Sequence, residues 1–159
     1  MRVIVAARGR DKLEAISKET GAGILTCDST DADAVAALFD AATEQLGGAP
    51  EVVVYNAGSG VFGNFEEVAA ADFETSWRVN ALGLFLVARK VGPSMKSAGR
   101  GSIVVIGATA SRRGAPRTVA FAPAKAAQRS LTESLARTLW PAGVHVSLII
   151  LDGVVDLAS

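Results

Sequence analysis

Apolar residues in this chain fall into two alternating patterns. Near-continuous, largely β-branched runs at 3–7, 24–27, 51–55, 102–106 and 144–151 predict five short strands. Between them, apolar residues recur at spacings of three and four, which predicts helices. The first helix starts from an Asp11 N-cap with Glu14 three positions later, carries Leu13, Ala15 and Ile16, and stops at Gly21. The second follows Asp28-Ser29-Thr30-Asp31, runs through Val35, Leu38, Phe39, Ala42 and Leu46, and ends at Gly47-Gly48. After a loop at 61–71, Asp72 is read as the cap of a long helix with a Phe73, Trp77, Ala81, Leu84, Ala88, Val91 stripe, which Pro93 bends or ends. The last helix opens at Phe121, continues through Ala127, Leu131, Leu135 and Leu139, and closes before Pro141-Ala142-Gly143. Strand and helix alternate at βαβ spacing. The prediction is an α/β domain: a three-layer α/β/α, Rossmann-like arrangement around one mostly parallel five-stranded sheet with right-handed crossovers.

Composition narrows this picture only at its edges. At 159 residues the chain is long enough for one domain with a sizeable core. Sixteen basic against sixteen acidic residues leave no net charge, so no long-range field recruits nucleic acid or an anionic membrane. Arg112, Arg113 and Arg117 form the one basic cluster, read as a solvated loop or as a contact for a phosphate or substrate anion. The single cysteine, Cys27, excludes an intramolecular disulfide and reads as a small, buried strand residue. No apolar run reaches the roughly eighteen residues of a membrane span, and cytoplasmic placement follows by default. His145, the only histidine, lies on an alternating strand without a second ligand, so no metal site is expected.

The chemistry gathers around the fourth strand. Open α/β sheets place their sites beyond the carboxyl ends of strands, and Lys125 opens a helix just past the end of the 102–106 run. Further marks are Asp28 after the second strand, Asn56-Ala57-Gly58 after the third, and Asn80 inside a long helix. In this order they resemble a short-chain dehydrogenase/reductase, from that family's second strand almost to its cofactor loop after the sixth. The resemblance implies an oxidoreductase acting on a small carbonyl or alcohol substrate with NADP or NAD. Asn80 and Lys125 match the family's catalytic Asn and Lys. The tyrosine four residues before the lysine is Phe121, and the serine thirteen before that is Ala108. A phenyl ring can neither donate nor accept the proton that hydride transfer at a carbonyl requires. Thr109 or Ser111 are the neighbouring hydroxyls that a small loop shift would bring into play, and Tyr55 is the chain's one phenol.

On the cofactor side the resemblance assigns Arg8, Asp28, Asn56, Ala57, Gly58, Lys125, Gly153 and Val155. Arg8 after the first strand, with no acidic residue there, leans towards NADP over NAD. Asp28 reads equally as an Asx turn or helix cap. Asn56 and Gly58 also suit a left-handed turn at a strand end. The strand and glycine-rich turn that hold a pyrophosphate do not occur in these residues, so the domain is expected to be truncated at both ends. In the family that strand lies between the first and third strands present here, and direct pairing of those two is the expected remedy. Three functions follow: a catalytically impaired family member; an unusual NADP-dependent reductase using Lys125 with Thr109 or Ser111; or a non-catalytic nucleotide-binding or subunit-interaction protein. A homo-oligomer joined through the helices at 72–91 and 121–139 is also expected by resemblance.

Overall fold

The structure is a computed structural model and describes residues 2–153. Five strands form: β1 (Ile4–Ala7), β2 (Gly23–Thr26), β3 (Val52–Tyr55), β4 (Gly101–Ala108) and β5 (Val144–Leu151). Five α-helices connect them: α1 (Arg10–Thr20), α2 (Ala32–Leu46), α3 (Ala70–Trp77), α4 (Gly83–Ala98) and α5 (Phe121–Leu139). Each strand pairing among the five is parallel, and the alternation expected from the sequence is present.

The single sheet is the first correction. Among the described residues β1 pairs only with β2, and β3, β4 and β5 form a separate sheet in that order. Direct β1–β3 pairing does not occur. The physical reason lies in the helix layer. α2 packs on β2 and on α4, and its Val35 and Phe39 enter the core beneath β3, β4 and β5. Cys27, just after β2, packs on the same core, so α2 and Cys27 tie the two-strand unit to the three-strand sheet. α1 packs on β1 and β2, while α2, α4 and α5 contribute to the core on β3, β4 and β5. The result is an α/β/α, Rossmann-like architecture.

The core sits between α2, α4, α5 and one face of β3–β5. Register places Val53, Ile103 and Val146 side by side, then Tyr55, Val105 and Leu148, with Ile103 and Val105 fully buried. Leu84, Val87, Val91 and Met95 of α4 close the other side. Burying one such Val or Leu side chain contributes about 1.5–3 kcal/mol.

Helix ends follow local chemistry, with three corrections. Gly21, Gly47 and Gly99 adopt left-handed conformations that close α1, α2 and α4. Asp31 caps α2 by accepting from Asp33 N at 2.8 Å and Ala34 N at 3.1 Å. Asp11 is not a cap: Gly9 holds that position, and Asp11 lies in the first turn of α1. Asp72 is likewise inside α3, whose N-cap is Ala69. Pro93 stays within α4, which continues to Ala98; the fixed φ of proline is helical, and tertiary packing of Val91 and Met95 outweighs the missing donor.

The expected long helix is two. A π-helical turn, Arg78–Leu82, separates α3 from α4. The wider turn shifts the facing of the apolar stripe, so Ala81, Leu84, Ala88 and Val91 are buried while Phe73 and Trp77 remain about 45% exposed.

Candidate active site

Lys125 stands on the first turns of α5, next to the carboxyl end of β4. Its side chain is 7% exposed. Nζ donates to Ile106 O at 3.1 Å and to Gln128 Oε1 at 3.0 Å. Burial lowers its pKa from 10.5 to about 8, because a desolvated ammonium is disfavoured. An ammonium has three N–H donors, so one remains for a ligand.

Asn80 reaches the same place from the π-helical turn. Taken as an amide in a helix it would face solvent, but here it is fully buried. Its Nδ2 donates to Ser76 O at 2.8 Å and Ser59 O at 3.0 Å, which aims Oδ1 away from both. That oxygen has no hydrogen-bond partner among the described residues. A Cβ placed on Gly58 would lie 3.6 Å from Asn80 Oδ1 and 3.7 Å from Lys125 Nζ. An unfilled acceptor and an ammonium with a spare donor therefore converge over the Cα of Gly58. A hydroxyl is the simplest group that can accept from one and donate to the other.

The π-helical turn that presents Asn80 is held from below by Tyr55. Its hydroxyl donates to Val79 O at 2.5 Å and lies 3.4 Å from Ser29 Oγ, whose own proton it can accept, and the residue is 4% exposed. Burial raises the pKa of this phenol. Tyr55 is thus a strut: its hydroxyl is taken up by Val79 and Ser29 and not by the groups over Gly58.

The position where a phenol would exchange protons holds a ring of another kind. Phe121 packs on Phe62 with centroids 5.2 Å apart, and the Lys125 ammonium lies 6.0 Å from the Phe121 centroid. This pair makes one wall of the site apolar. Thr109 Oγ1 donates to Asp152 Oδ1 at 2.8 Å and lies 3.2 Å from Leu151 O, which ties it to the end of β5. Ser111 is buried with its hydroxyl unpartnered among the described residues, and its carbonyl accepts from Arg129 Nε at 3.3 Å. No hydrogen bond joins either hydroxyl to Lys125.

Arg8 is exposed after β1, and Asp28 lies nearby after β2. Asp28 Oδ1 accepts from Thr30 N at 2.9 Å and Thr30 Oγ1 at 2.8 Å, an Asx turn. These bonds hold the Asp28 carboxyl below its usual range, with the charges of Arg8 and Arg78 adding to them. Asn56, Ala57 and Gly58 lead from β3 toward Lys125, but none has a positive φ, so the left-handed turn expected there is absent. What glycine supplies at 58 is space. Gly153 has φ +135, a conformation that favours glycine, just after β5; Val155 lies outside the described residues. In the basic cluster, Arg117 pairs with Glu67 at 3.3 Å and ties the two loops beside Phe121 together.

Gln128 was not recognised as a site residue. It is fully buried, and its Nε2 is unpartnered among the described residues. The available signal was its position three residues after Lys125, where helix geometry places two side chains on one face.

This arrangement belongs to a known class. The chain is a member of the short-chain dehydrogenase family, whose model matches residues 1–156. It is similar to human 17-beta-hydroxysteroid dehydrogenase type 1, 35% identical over 125 residues, which are 79% of this chain and 37% of that one. It is also similar in structure to a metagenomic short-chain oxidoreductase in complex with NADP, with TM-score 0.85 and 30% identity, covering 94% of this chain and 70% of the other. An NAD+-bound xylitol dehydrogenase matches with TM-score 0.85 and 27% identity over 95% of this chain and 60% of its own. The chain therefore spans well under half the length of the curated relative. No helix among the described residues is long and apolar enough to cross a membrane.

Proposed function

We propose that this chain is a nicotinamide-dependent oxidoreductase homologue whose proton-transfer step is impaired in this form. The observation that carries the reading is the convergence of Lys125 Nζ and Asn80 Oδ1 over Gly58, next to an aromatic ring with no hydroxyl. Lys125 and Asn80 fit a cofactor ribose, with Lys125 donating to a ribose hydroxyl and Asn80 accepting. A bound nicotinamide would supply hydride chemistry, and Lys125, Asn80, Asn56, Ala57, Gly58, Gly153 and Val155 would hold it. Arg8 with Asp28 would meet the adenosine end, and the exposed guanidinium favours NADP over NAD. Without a phenol at 121 or a hydroxyl at 108, the chain's own groups lack a proton donor at the carbonyl and a second group to polarise it.

A reductase that relays protons through Thr109 is less well supported, because that hydroxyl is committed to the end of β5. We also propose self-association through α4 and α5. Its support is Phe85, 45% exposed beside a shallow apolar groove formed with Ala88, Pro93, Leu135 and Leu139. Cytoplasmic placement belongs to the same proposal.

Calorimetric titration with NADPH and with NADP+, followed by a panel of carbonyl and alcohol substrates, tests the functional reading. Cofactor binding without turnover supports it. Turnover by the native chain that disappears in Lys125→Ala would replace it with the reductase reading.

A further inference from the structure

Gln128 follows Lys125 on α5, one helical turn on, and is fully buried. Helix geometry puts the two side chains on one face. A glutamine is rarely enclosed completely, because each polar atom left unpaired there costs free energy. An apolar residue of the same length would fill the space without that cost, so packing alone does not account for this one. Its contact with the lysine does. Gln128 Oε1 accepts from Lys125 Nζ at 3.0 Å, and among the described residues no other side chain accepts from that ammonium. The second acceptor belongs to the backbone, Ile106 O at 3.1 Å.

The other half of the amide shows what sets its orientation. Nε2 is buried with no partner among the described residues. Turning the amide over would set N–H groups against an ammonium that can only donate. The lysine therefore decides which way the amide faces, and a costly unpaired donor is kept for the sake of that contact. Gln128 is also neutral. A carboxylate in its place would compensate the ammonium's charge, whereas an amide oxygen directs one N–H and leaves the charge for a ligand. No charged side chain adds to this environment: burial is the one cause of the lowered Lys125 pKa. The Phe121 ring, 6.0 Å from Nζ at its centroid, offers no hydroxyl to it.

We propose that Gln128 is a positioning residue that acts through Lys125: its amide oxygen and the Ile106 carbonyl hold two of the three N–H groups, and the third is thereby directed at the space over Gly58. A tetrahedral ammonium with two donors on fixed acceptors does not turn freely about its Cε–Nζ bond, so the direction of the last donor is set. Both acceptors stand on regular elements, Ile106 within β4 and Gln128 inside α5. A Cβ on Gly58 would lie 3.7 Å from Nζ and 3.6 Å from the unfilled Asn80 Oδ1, which marks where a ligand hydroxyl would sit. That this hydroxyl belongs to a cofactor ribose rests on the function proposed above; the seat of the ammonium does not.

Two substitutions separate this role from space filling. Gln128→Met keeps the length and removes the acceptor; Gln128→Glu keeps shape and acceptor and adds a charge. NMR of the chain with carbon-13-labelled lysine side chains follows the Lys125 titration, its signal identified by its loss in Lys125→Met, and calorimetry with NADPH follows the ligand. Losing an acceptor disfavours the ammonium, so Gln128→Met should titrate below the native midpoint of about 8, and Gln128→Glu above it. A side chain that only fills space would move neither. Gln128→Met should also weaken NADPH binding about tenfold, as expected for one misdirected hydrogen bond from a charged donor. Should the methionine variant not fold, the glutamate variant reads the same contact. Midpoints that move as expected in a chain that binds no NADPH would support the role of Gln128 and overturn the proposed function. A Lys125 midpoint that stays at the native value in either variant would overturn the role itself, and so would NADPH binding by Gln128→Met equal to that of the native chain.

Discussion

Lys125→Met isolates the cost of holding a cation over Gly58. Burial brings the Lys125 pKa from 10.5 down to about 8. The folded value lies below the unfolded one, so the unfolded chain binds more protons between these two values. Stability contributed by this residue therefore rises as pH climbs from about 8 toward 10.5, and the penalty is fully present at neutral pH. Integrating the linkage between pH 7 and 10 with those two values gives about 2.5 kcal/mol. Methionine has a similar length and no charge. It leaves Ile106 O and Gln128 Oε1 without their donor, but that loss is the same at both pH values and cancels in the difference. Tyr55 and Cys27, whose pKa values are raised, are common to both proteins and cancel as well. Urea denaturation of both proteins at pH 7 and pH 10 gives the comparison. The native chain should gain about 2.5 kcal/mol relative to Lys125→Met over this interval. Parallel pH dependences for the two proteins would refute a desolvated lysine and leave a solvated one.

Other perturbations test the elements that present the site. Gly83→Ala would drive a Cβ onto Tyr55 Oη and within 3.0 Å of Ser29 O, and should destabilise the fold by about 2 kcal/mol or more in urea titration. Tyr55→Phe removes the donor to Val79 O, and a loss of about 1–2 kcal/mol with weakened NADPH binding in calorimetry is expected if this strut positions Asn80. Asp31→Ala should cost about 1 kcal/mol through loss of the α2 cap, seen as a lower urea midpoint at unchanged slope. Arg8→Ala should reduce affinity for NADPH more than for NADH; equal effects would remove the argument for phosphate recognition at that position.

The parts of this fold that could be read from the chain are those dictated locally. β5 begins and ends where its apolar run does, and Gly21 and Gly47 stop their helices because each must adopt a left-handed conformation. Lys125, Asn80 and Gly58 were singled out by their order along the chain, and they do meet. What was not legible depends on contacts distant in sequence. β1 and β3 do not pair, and what links their two sheets is α2, which packs on β2 and α4. The π-helical turn at 78–82 has no composition signature; it is held by Tyr55, more than twenty residues away. Pro93 should break a helix by its lost donor, yet α4 persists because Val91 and Met95 are fully packed. Asn80 illustrates both sides: its polarity argued for solvent, and only Ser59 and Ser76 explain why it is buried with one oxygen unfilled.

We propose a family site held in place around Lys125 without a proton donor, and NADPH oxidation tests it most directly. Turnover is measured by following nicotinamide absorbance with excess NADPH and the carbonyl panel, for the native chain, Lys125→Ala and the Phe121→Tyr/Ala108→Ser double variant side by side. No enzyme-dependent loss of NADPH is expected with the native chain, and the same baseline with Lys125→Ala. Steady turnover by the native chain that Lys125→Ala abolishes would overturn this reading, whatever the rate of the double variant.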